Sequence, residues 1–142
     1  NVKGLLYVSR TVLPWMIARK HGHVINIGST AGKDAYANGN VYCGTKFAVD
    51  AITKSMRIDL LPHQIKVTAV NPGAAETEFS LVRFKGNAEK AKAVYNGFEA
   101  LQADDIAEIV WFAASRPKHV VLNDIVVTPL AQANAMYIHR TV

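Results

Sequence analysis

Along the chain, segments in which apolar residues have helical spacing alternate with short segments that are apolar almost throughout. Apolar residues recur every three or four positions over residues 1–20, where Asn1 is a candidate helix cap and Pro14 is expected to bend the helix. The short apolar run His23–Ile27 predicts a buried strand. Residues 28–40, rich in Gly, Asn and Asp, then predict a loop.

The same alternation continues through the rest of the chain. Residues 41–61 have the longest helical pattern, with a broad apolar face and Pro62 as terminator. A strand is predicted at residues 65–70, and a loop with short helices at residues 72–97. Residues 104–115 predict a helix, followed by a last strand at residues 125–128. The side chains of that last helix expected to point inward are Ile106, Ile109, Val110, Trp111 and Phe112.

This order of elements predicts the fold class. Helices alternate with strands that are apolar almost throughout, which indicates an α/β fold with a parallel sheet covered by helices on both faces. Sheets of this kind bind ligands at the carboxyl ends of their strands. Ser29 follows the first predicted strand and Asn71-Pro72-Gly73 follows the second. We therefore expect these side chains to meet at one edge of the sheet.

Length and composition narrow the picture further. The 142 residues, half of them hydrophobic, predict one domain over residues 1–142. Because the chain begins with Asn1 and not with Met, we expect that domain to be part of a longer protein. The single cysteine, Cys43, excludes an internal disulfide and suits a reducing, cytoplasmic compartment. The five histidines have no metal-ligand spacing, so no metal site is predicted.

Charge and hydropathy argue against two classes of partner. The formal net charge is +5, but basic residues are scattered among acidic ones from Lys3 to Arg140 and form no stripe. We therefore expect no nucleic acid partner. The chain has no apolar run near the ~20 residues that span a bilayer, so no membrane partner is expected either.

Tyr42 and Lys46 form the pair with the clearest chemistry. At positions i and i+4 of a helix they project from the same face, and the ammonium should lower the phenol pKa from its usual value of about 10. Such a phenol exchanges a proton with a substrate oxygen while hydride moves at the carbon. Ser29 is expected to hold that oxygen by a hydrogen bond. The plainer alternative is a surface lysine at an ordinary helix start and a serine in a loop.

Several segments resemble the catalytic half of the short-chain dehydrogenase/reductase family. Residues 25–32 (INIGSTAG), residues 42–46 (YCGTK) and Asn71-Pro72-Gly73 occur in the family's order, and residues 1–4 (NVKG) are similar to the segment that carries its catalytic asparagine. The resemblance covers the whole chain and implies a Rossmann-like, doubly wound sheet. It implies that the catalytic residues are Asn1, Ser29, Tyr42 and Lys46. Asn1 would anchor a water linked to Lys46, and capping the first helix is its alternative role.

The resemblance also implies a nicotinamide cofactor and its contacts. Residues 72–77 (PGAAET) are similar to the segment that lines the nicotinamide, although Ala75 stands where many members carry valine. The implied cofactor-binding residues are Tyr42, Lys46, Pro72, Gly73, Ala75 and Thr77. Residues 76–86 and the tail ending at Arg140 resemble the branch that oxidises serine, allo-threonine and other 3-hydroxy acids with NADP. NAD is the alternative cofactor, because the residues that select between the two are not in this chain.

The substrate and the assembly follow from the same resemblance. Ser29, Tyr42 and Arg83 would bind the hydroxy acid, with Arg83 and Lys85 as candidates to hold its carboxylate, because a guanidinium pairs with that group through two hydrogen bonds. A solvated charge or a subunit contact is the alternative role for both residues. Family members pair through the helices corresponding to residues 1–20 and 41–61, which implies a homodimer or homotetramer.

One expected feature is missing from the sequence. Dinucleotide-binding folds hold the diphosphate on a glycine-rich turn between the first strand and helix, and no strand here is followed by such a turn. Residues 28–32 (GSTAG) follow a strand but enter a long loop. Two hypotheses result: the C-terminal catalytic part of an NADP-dependent 3-hydroxy acid dehydrogenase, or a non-enzymatic remnant or assembly partner without a cofactor site. We expect the 142 residues alone to bind NADP weakly or not at all.

Overall fold

The computed structural model describes residues 1–141 and gives an alternating order of helices and strands. Short 3₁₀ turns at Thr30–Gly32 and Leu61–His63 follow β1 and α2. In chain order the main elements are α1 (Lys3–Arg19), β1 (His23–Ile27), α2 (Asn40–Leu60), β2 (Lys66–Pro72), α3 (Glu78–Arg83), α4 (Ala88–Ala93), α5 (Ala103–Ala114) and β3 (Asp124–Val127).

The three strands form one parallel sheet in the order β1-β2-β3. The register between β1 and β2 runs from His23 opposite Lys66 to Ile27 opposite Val70. In the pairing of β2 with β3, Pro72 lies opposite Val127. Because the strands are parallel, the segments after β1 and β2 leave the sheet at the same edge. The predicted α/β class and the predicted meeting point of these segments are confirmed.

Helices cover both faces of the sheet. Residues of α1 and α2 pack over β1 and β2 around a buried cluster of Met56, Leu60, Ile65 and Val67. Successive side chains of a strand point to opposite faces. Lys66, next to Val67, reaches the other side, where its ammonium donates to the carbonyl of Arg116 just after α5. The predicted covering of both faces is therefore confirmed, with α5 opposite α1 and α2.

Two details of the helices differ from the prediction. Asn1 does not cap α1: the cap position is Val2, no side chain bonds there, and the Asn1 amide instead donates to Thr45. In α5, Trp111 and Phe112 do not point inward, since they are 72% and 48% exposed. The helical repeat explains this error, because Ile106, Val110 and Ala113 recur on one face whereas Trp111 and Phe112 lie more than 100° around the helix.

The structure also answers two questions raised by composition. No helix of residues 1–141 is long and apolar enough to cross a membrane. Over the same residues, no group of three or more His, Cys, Asp or Glu side chains could hold a metal ion.

Candidate active site

A cavity of about 560 Å³ gathers the predicted site residues beyond the carboxyl ends of β1 and β2. All nine residues proposed for catalysis, cofactor binding or substrate binding line it: Asn1, Ser29, Tyr42, Lys46, Pro72, Gly73, Ala75, Thr77 and Arg83. Lys85, the other candidate for the substrate carboxylate, is not part of its lining. A second cavity of about 710 Å³ lies between residues 97–101 and the tail, and it contains none of the nine.

Ser29 is held in a defined orientation directly after β1. Its backbone is extended, and its hydroxyl oxygen accepts a hydrogen bond of 3.1 Å from the backbone N–H of Ala31, which opens the 3₁₀ turn Thr30–Gly32. A hydroxyl has two lone pairs and one proton. The turn uses one lone pair, so the hydroxyl proton of Ser29 can be donated to an oxygen in the cavity, that of Tyr42 or of a ligand.

Tyr42 lies in the first turn of α2 and is half-buried. Its ring packs against Phe79 of α3 with the centroids 5.4 Å apart. Burial raises the pKa of the phenol, while the Ser29 hydroxyl and the Arg83 guanidinium oppose that rise. The expectation that Lys46 would lower the pKa of Tyr42 was wrong for this chain, because the cost of ionising a buried phenol is the larger effect and Lys46 is not among the groups that offset it.

Lys46 is fixed by the end of β1. Its ammonium donates to the backbone carbonyls of Ile27 and Gly28, at 3.1 and 3.0 Å, and lies 5.9 Å from the centroid of the Tyr42 ring. Burial lowers the pKa of this ammonium. An ammonium has three donors, and two of them are used here. The third remains for a ligand in the cavity.

Asn1 contacts the same turn of α2 through a residue that the sequence analysis overlooked. Its side-chain amide donates to the Thr45 hydroxyl at 3.0 Å, and that hydroxyl donates to the Tyr42 carbonyl at 2.8 Å. Thr45 therefore joins Asn1 to the turn that carries Tyr42 and Lys46. Its position between Tyr42 and Lys46 in the sequence was the signal that could have identified it.

The segment after β2 is held from two sides. Gln132 accepts a hydrogen bond from the Ala74 N–H at 2.8 Å. From the other side, the Tyr95 hydroxyl donates to the Ala75 carbonyl at 2.8 Å and lies 2.7 Å from the Ser80 hydroxyl. These three polar residues were missed by sequence reasoning. None of the three carries a sequence signal for this role, because each contact joins residues that are brought together only by the fold.

Arg83, at the carboxyl end of α3, is an available cation in the cavity lining. Its guanidinium lies 5.8 Å from the ring of Phe84 and makes no ion pair or hydrogen bond with any side chain or carbonyl of residues 1–141. It is close enough to Tyr42 to lower the pKa of the phenol. An anion bound near Tyr42 would therefore meet a positive charge without a competing partner from the described part of the chain.

The donor groups of the cavity fit one end of a nicotinamide dinucleotide. Lys46 has an unused donor, and Thr77 is an exposed residue whose hydroxyl oxygen accepts from the Phe79 N–H, which leaves its proton for a ligand. A diphosphate needs a further cradle of backbone N–H groups on a tight glycine turn. Within residues 1–141, only Gly86 and Gly97 are glycines with positive φ, and neither directly follows a strand. The cavity thus fits the nicotinamide end alone.

Comparison with known proteins agrees with the geometry. The family model described as short chain dehydrogenase matches residues 1–88. The chain is 47% identical over 143 residues to the NADP-dependent 3-hydroxy acid dehydrogenase YdfG of Salmonella typhi, covering 99% of this chain and 58% of that protein. It is 41% identical over 140 residues to the NADP-dependent 3-hydroxy acid dehydrogenase of Schizosaccharomyces pombe, covering 99% and 54%.

A solved structure is similar to nearly all of the chain. The closed form of serine dehydrogenase complexed with NADP⁺ matches with a TM-score of 0.91 at 45% identity, covering 98% of this chain and 57% of that one. The chain therefore spans little more than half the length of these relatives. The family match extends over more than half of these 142 residues and includes Ser29, Tyr42 and Lys46. The chain belongs to the short-chain dehydrogenase family.

Proposed function

We propose that this chain is the C-terminal catalytic half of an NADP-dependent oxidoreductase acting on the hydroxyl group of 3-hydroxy acids such as serine and allo-threonine. One observation carries the proposal: a serine hydroxyl, a tyrosine hydroxyl, a lysine and an arginine that has no ion pair within residues 1–141 line the same cavity. Its volume of about 560 Å³ is in the usual range for small-molecule sites. The names of the relatives from Salmonella and Schizosaccharomyces support the same substrate class.

Tyr42 exchanges the proton of the reacting oxygen. Burial keeps the pKa of its phenol raised, so the hydroxyl is protonated at neutral pH and ready to donate to a carbonyl oxygen. In the direction of alcohol oxidation, the phenol must first lose its proton, and nearby positive charge favours that loss. Ser29, which lies beside the Tyr42 phenol, donates its hydroxyl proton to the same substrate oxygen when the substrate is bound and stabilises the charge that develops on it.

A bound nicotinamide supplies or accepts the hydride in this reaction. The residues that would hold it are Lys46 and Thr77 as hydrogen-bond donors, the aromatic ring of Tyr42, and the backbone and side chains of Pro72, Gly73 and Ala75. NADP is proposed over NAD because the relatives are named for NADP. This chain covers 58% and 54% of the length of these relatives, and we assign the diphosphate cradle to the part that it does not cover.

Arg83 holds the carboxylate of the hydroxy acid. A guanidinium offers two parallel N–H groups to the two oxygens of a carboxylate, which fixes both its distance and its orientation. With the carboxylate at Arg83, the hydroxyl carbon of the substrate is directed toward Ser29 and Tyr42, which line the same cavity. Asn1 supports this arrangement through its hydrogen bond to Thr45, and the family resemblance implies that it would also anchor a water linked to Lys46.

The protein is proposed to work as a homodimer or homotetramer that pairs through α1 and α2. Both helices expose large apolar side chains: Leu6, Tyr7, Val8, Trp15, Phe47 and Ile58. Exposed apolar patches on soluble domains commonly mark interfaces. Light scattering of the longer protein tests this assembly, and substituting Trp15 with Glu should shift the mass toward the monomer.

Two measurements separate the enzyme from a non-enzymatic remnant. For the longer protein that contains this chain, we expect serine or another 3-hydroxy acid to reduce NADP, followed at the NADPH absorbance. For residues 1–142 alone, titration with NADPH while following cofactor fluorescence should show weak binding or none. If the longer protein neither binds NADPH nor turns over any 3-hydroxy acid, the remnant is the correct interpretation. Micromolar binding by residues 1–142 alone would contradict the proposed division of the cofactor site.

A further inference from the structure

We propose that Lys33 is a positioning residue that fixes the segment carrying Ser29 against the helix carrying Tyr42. Lys33 directly follows the turn Thr30–Gly32 that Ser29 opens. It lies outside the cavity lining and belongs to none of the motifs that indicated the active site. Its effect on turnover rests on the proposed function, whereas its effect on the Ser29 segment does not.

One ammonium joins three separate elements. Lys33 Nζ lies 2.6 Å from Asp50 Oδ1 of α2 and 2.6 Å from Asp124 Oδ2 at the start of β3. Asp50 is two helical turns beyond Tyr42 on α2. The contacts of Lys33 therefore cross from the segment after β1 to both the Tyr42 helix and the far strand of the sheet.

These ion pairs are more shielded than ordinary surface pairs. The side chains of Lys33 and Asp50 are 25% and 13% exposed, and that of Asp124 is 37% exposed. Partial burial weakens screening by water and salt, and N–H groups of a charged donor form short, directional bonds with carboxylates. The side chain of Lys33 is therefore held in place by two directional ion pairs and is not a mobile surface charge.

The ion pairs of Lys33 lie next to a close packing contact between the Thr30–Gly32 turn and α2. A Cβ added to Gly32 would lie 2.7 Å from the backbone oxygen of Lys46, so the turn lies directly against α2. All three residues of the turn are buried, so packing already holds it near α2. Lys33, the next residue, adds a directional ionic attraction between this segment and α2.

The contacts of Asp124 extend from Lys33 to Gly28, which lines the cavity. Asp124 also accepts a hydrogen bond from the side-chain amide of Asn71, a buried residue directly before Pro72. The oxygen of that amide lies so close to Gly28 that an added Cβ would be 2.0 Å away. Gly28 in turn provides one of the carbonyls that hold Lys46. Lys33 is thus connected to both the Ser29 side and the Lys46 side of the site.

Lys54 provides a matched control. Its ammonium also pairs with Asp50, at 2.6 Å, but the two residues are four apart on the same helix and Lys54 is 57% exposed. Removing Lys54 therefore deletes the same charge and one pair to the same carboxylate. It breaks no connection between elements.

The test compares Lys33→Met, Lys33→Arg and Lys54→Met in the longer protein that contains this chain. Lys33→Met should lower kcat by about tenfold or more with a smaller change in KM, because displacements of about 1 Å can cost a hundredfold in rate. Lys33→Arg should recover most of the lost kcat, and Lys54→Met should stay within about twofold of the parent, as expected for an exposed pair. Backbone amides of residues 30–34 should exchange hydrogen faster in Lys33→Met alone.

Each outcome decides the role of Lys33. Equal kcat and equal exchange in Lys33→Met and Lys54→Met would overturn the positioning role, as would a lower melting temperature with unchanged kcat per folded protein. If the parent protein turns over no 3-hydroxy acid, the proposed function fails, and the exchange comparison still decides whether Lys33 holds the segment. If Lys33→Met does not fold, Asp124→Asn removes the charge of only one of the two pairs and should give the same pattern at smaller amplitude.

Discussion

Replacing Arg83 with methionine should weaken the binding of hydroxy acids selectively. The substitution keeps a long, flexible apolar stem at the end of α3 but removes the cation from the cavity lining. Arg83 has no ion pair within residues 1–141, so its removal leaves no buried acidic partner behind. A rise in KM would therefore reflect weaker binding of the substrate and not a damaged fold.

The size of the effect follows from the exposure of the guanidinium. Hydrogen bonds to charged groups contribute about 1.5–3 kcal/mol, and an exposed group such as Arg83 belongs at the low end of that range. About 1.4 kcal/mol corresponds to a tenfold change in an equilibrium constant. We expect KM for serine to rise about tenfold, while KM for a neutral secondary alcohol of similar size should change by less than about twofold.

The pH dependence should change in a defined direction. Arg83 lowers the pKa of Tyr42, so removing it should raise that pKa further. Alcohol oxidation uses the ionised phenol, and its rate in the variant should therefore rise only at higher pH than in the parent. Carbonyl reduction uses the protonated phenol, so its rate should persist to higher pH in the variant.

The assay follows NADPH absorbance for both substrates across pH in the longer protein that contains this chain. Lys85→Met is the control, because Lys85 carries the same charge two residues away but does not line the cavity. Steady-state parameters of Lys85→Met should match those of the parent. A rise in KM that is equal for serine and the neutral alcohol, or an equal effect of Lys85→Met, would refute the assignment of Arg83 to the carboxylate.

Three further substitutions test other parts of the structure. Tyr42→Phe should lower kcat by about 10²–10⁴ while NADPH affinity, measured by fluorescence, stays nearly unchanged. Thr53→Val should lower the free energy of unfolding by about 1–3 kcal/mol in urea, because Thr53 is the partner of the buried Asn26 amide, and adding Asn26→Leu should recover part of the loss. Gly28→Ala should cost about 1–3 kcal/mol in the same assay, since the new methyl would collide with the buried amide of Asn71. No loss of stability in either case would contradict the packing described here.

Helices and strands were predictable from the sequence where the spacing of apolar residues fitted only one kind of element. The strand at His23–Ile27 has the predicted bounds, and α2 begins and ends one residue before its prediction, with Pro62 in the turn that follows. The apolar run at Trp111 and Phe112 was misinterpreted because a continuous run contains residues from every side of a helix. Only the residues spaced by three or four belong to the inward face.

The location of the candidate site was also predictable, but much of its support was not. Tyr42 and Lys46 carry their spacing in the sequence, and the parallel sheet places Ser29 at the same edge. The contacts of Lys33 and Tyr95 join residues that are far apart in the chain. Such pairs depend on tertiary packing and leave no periodic signal, so the sequence alone could not identify them.

The ionisation of Tyr42 shows how burial and charge compete in this cavity. Spacing along a helix predicts that Lys46 approaches Tyr42, and its ammonium does lie 5.9 Å from the centroid of the ring, but it donates to the carbonyls of Ile27 and Gly28. Those bonds direct the positive charge toward the end of β1, and burial of the phenol then dominates its pKa. A cation that enters the cavity would lower the pKa of the phenol and so offset the effect of burial. In the proposed function, the raised pKa of Tyr42 favours proton donation to a carbonyl oxygen, and the positive charge of a bound, oxidised nicotinamide would favour the ionised phenol that removes a proton from an alcohol.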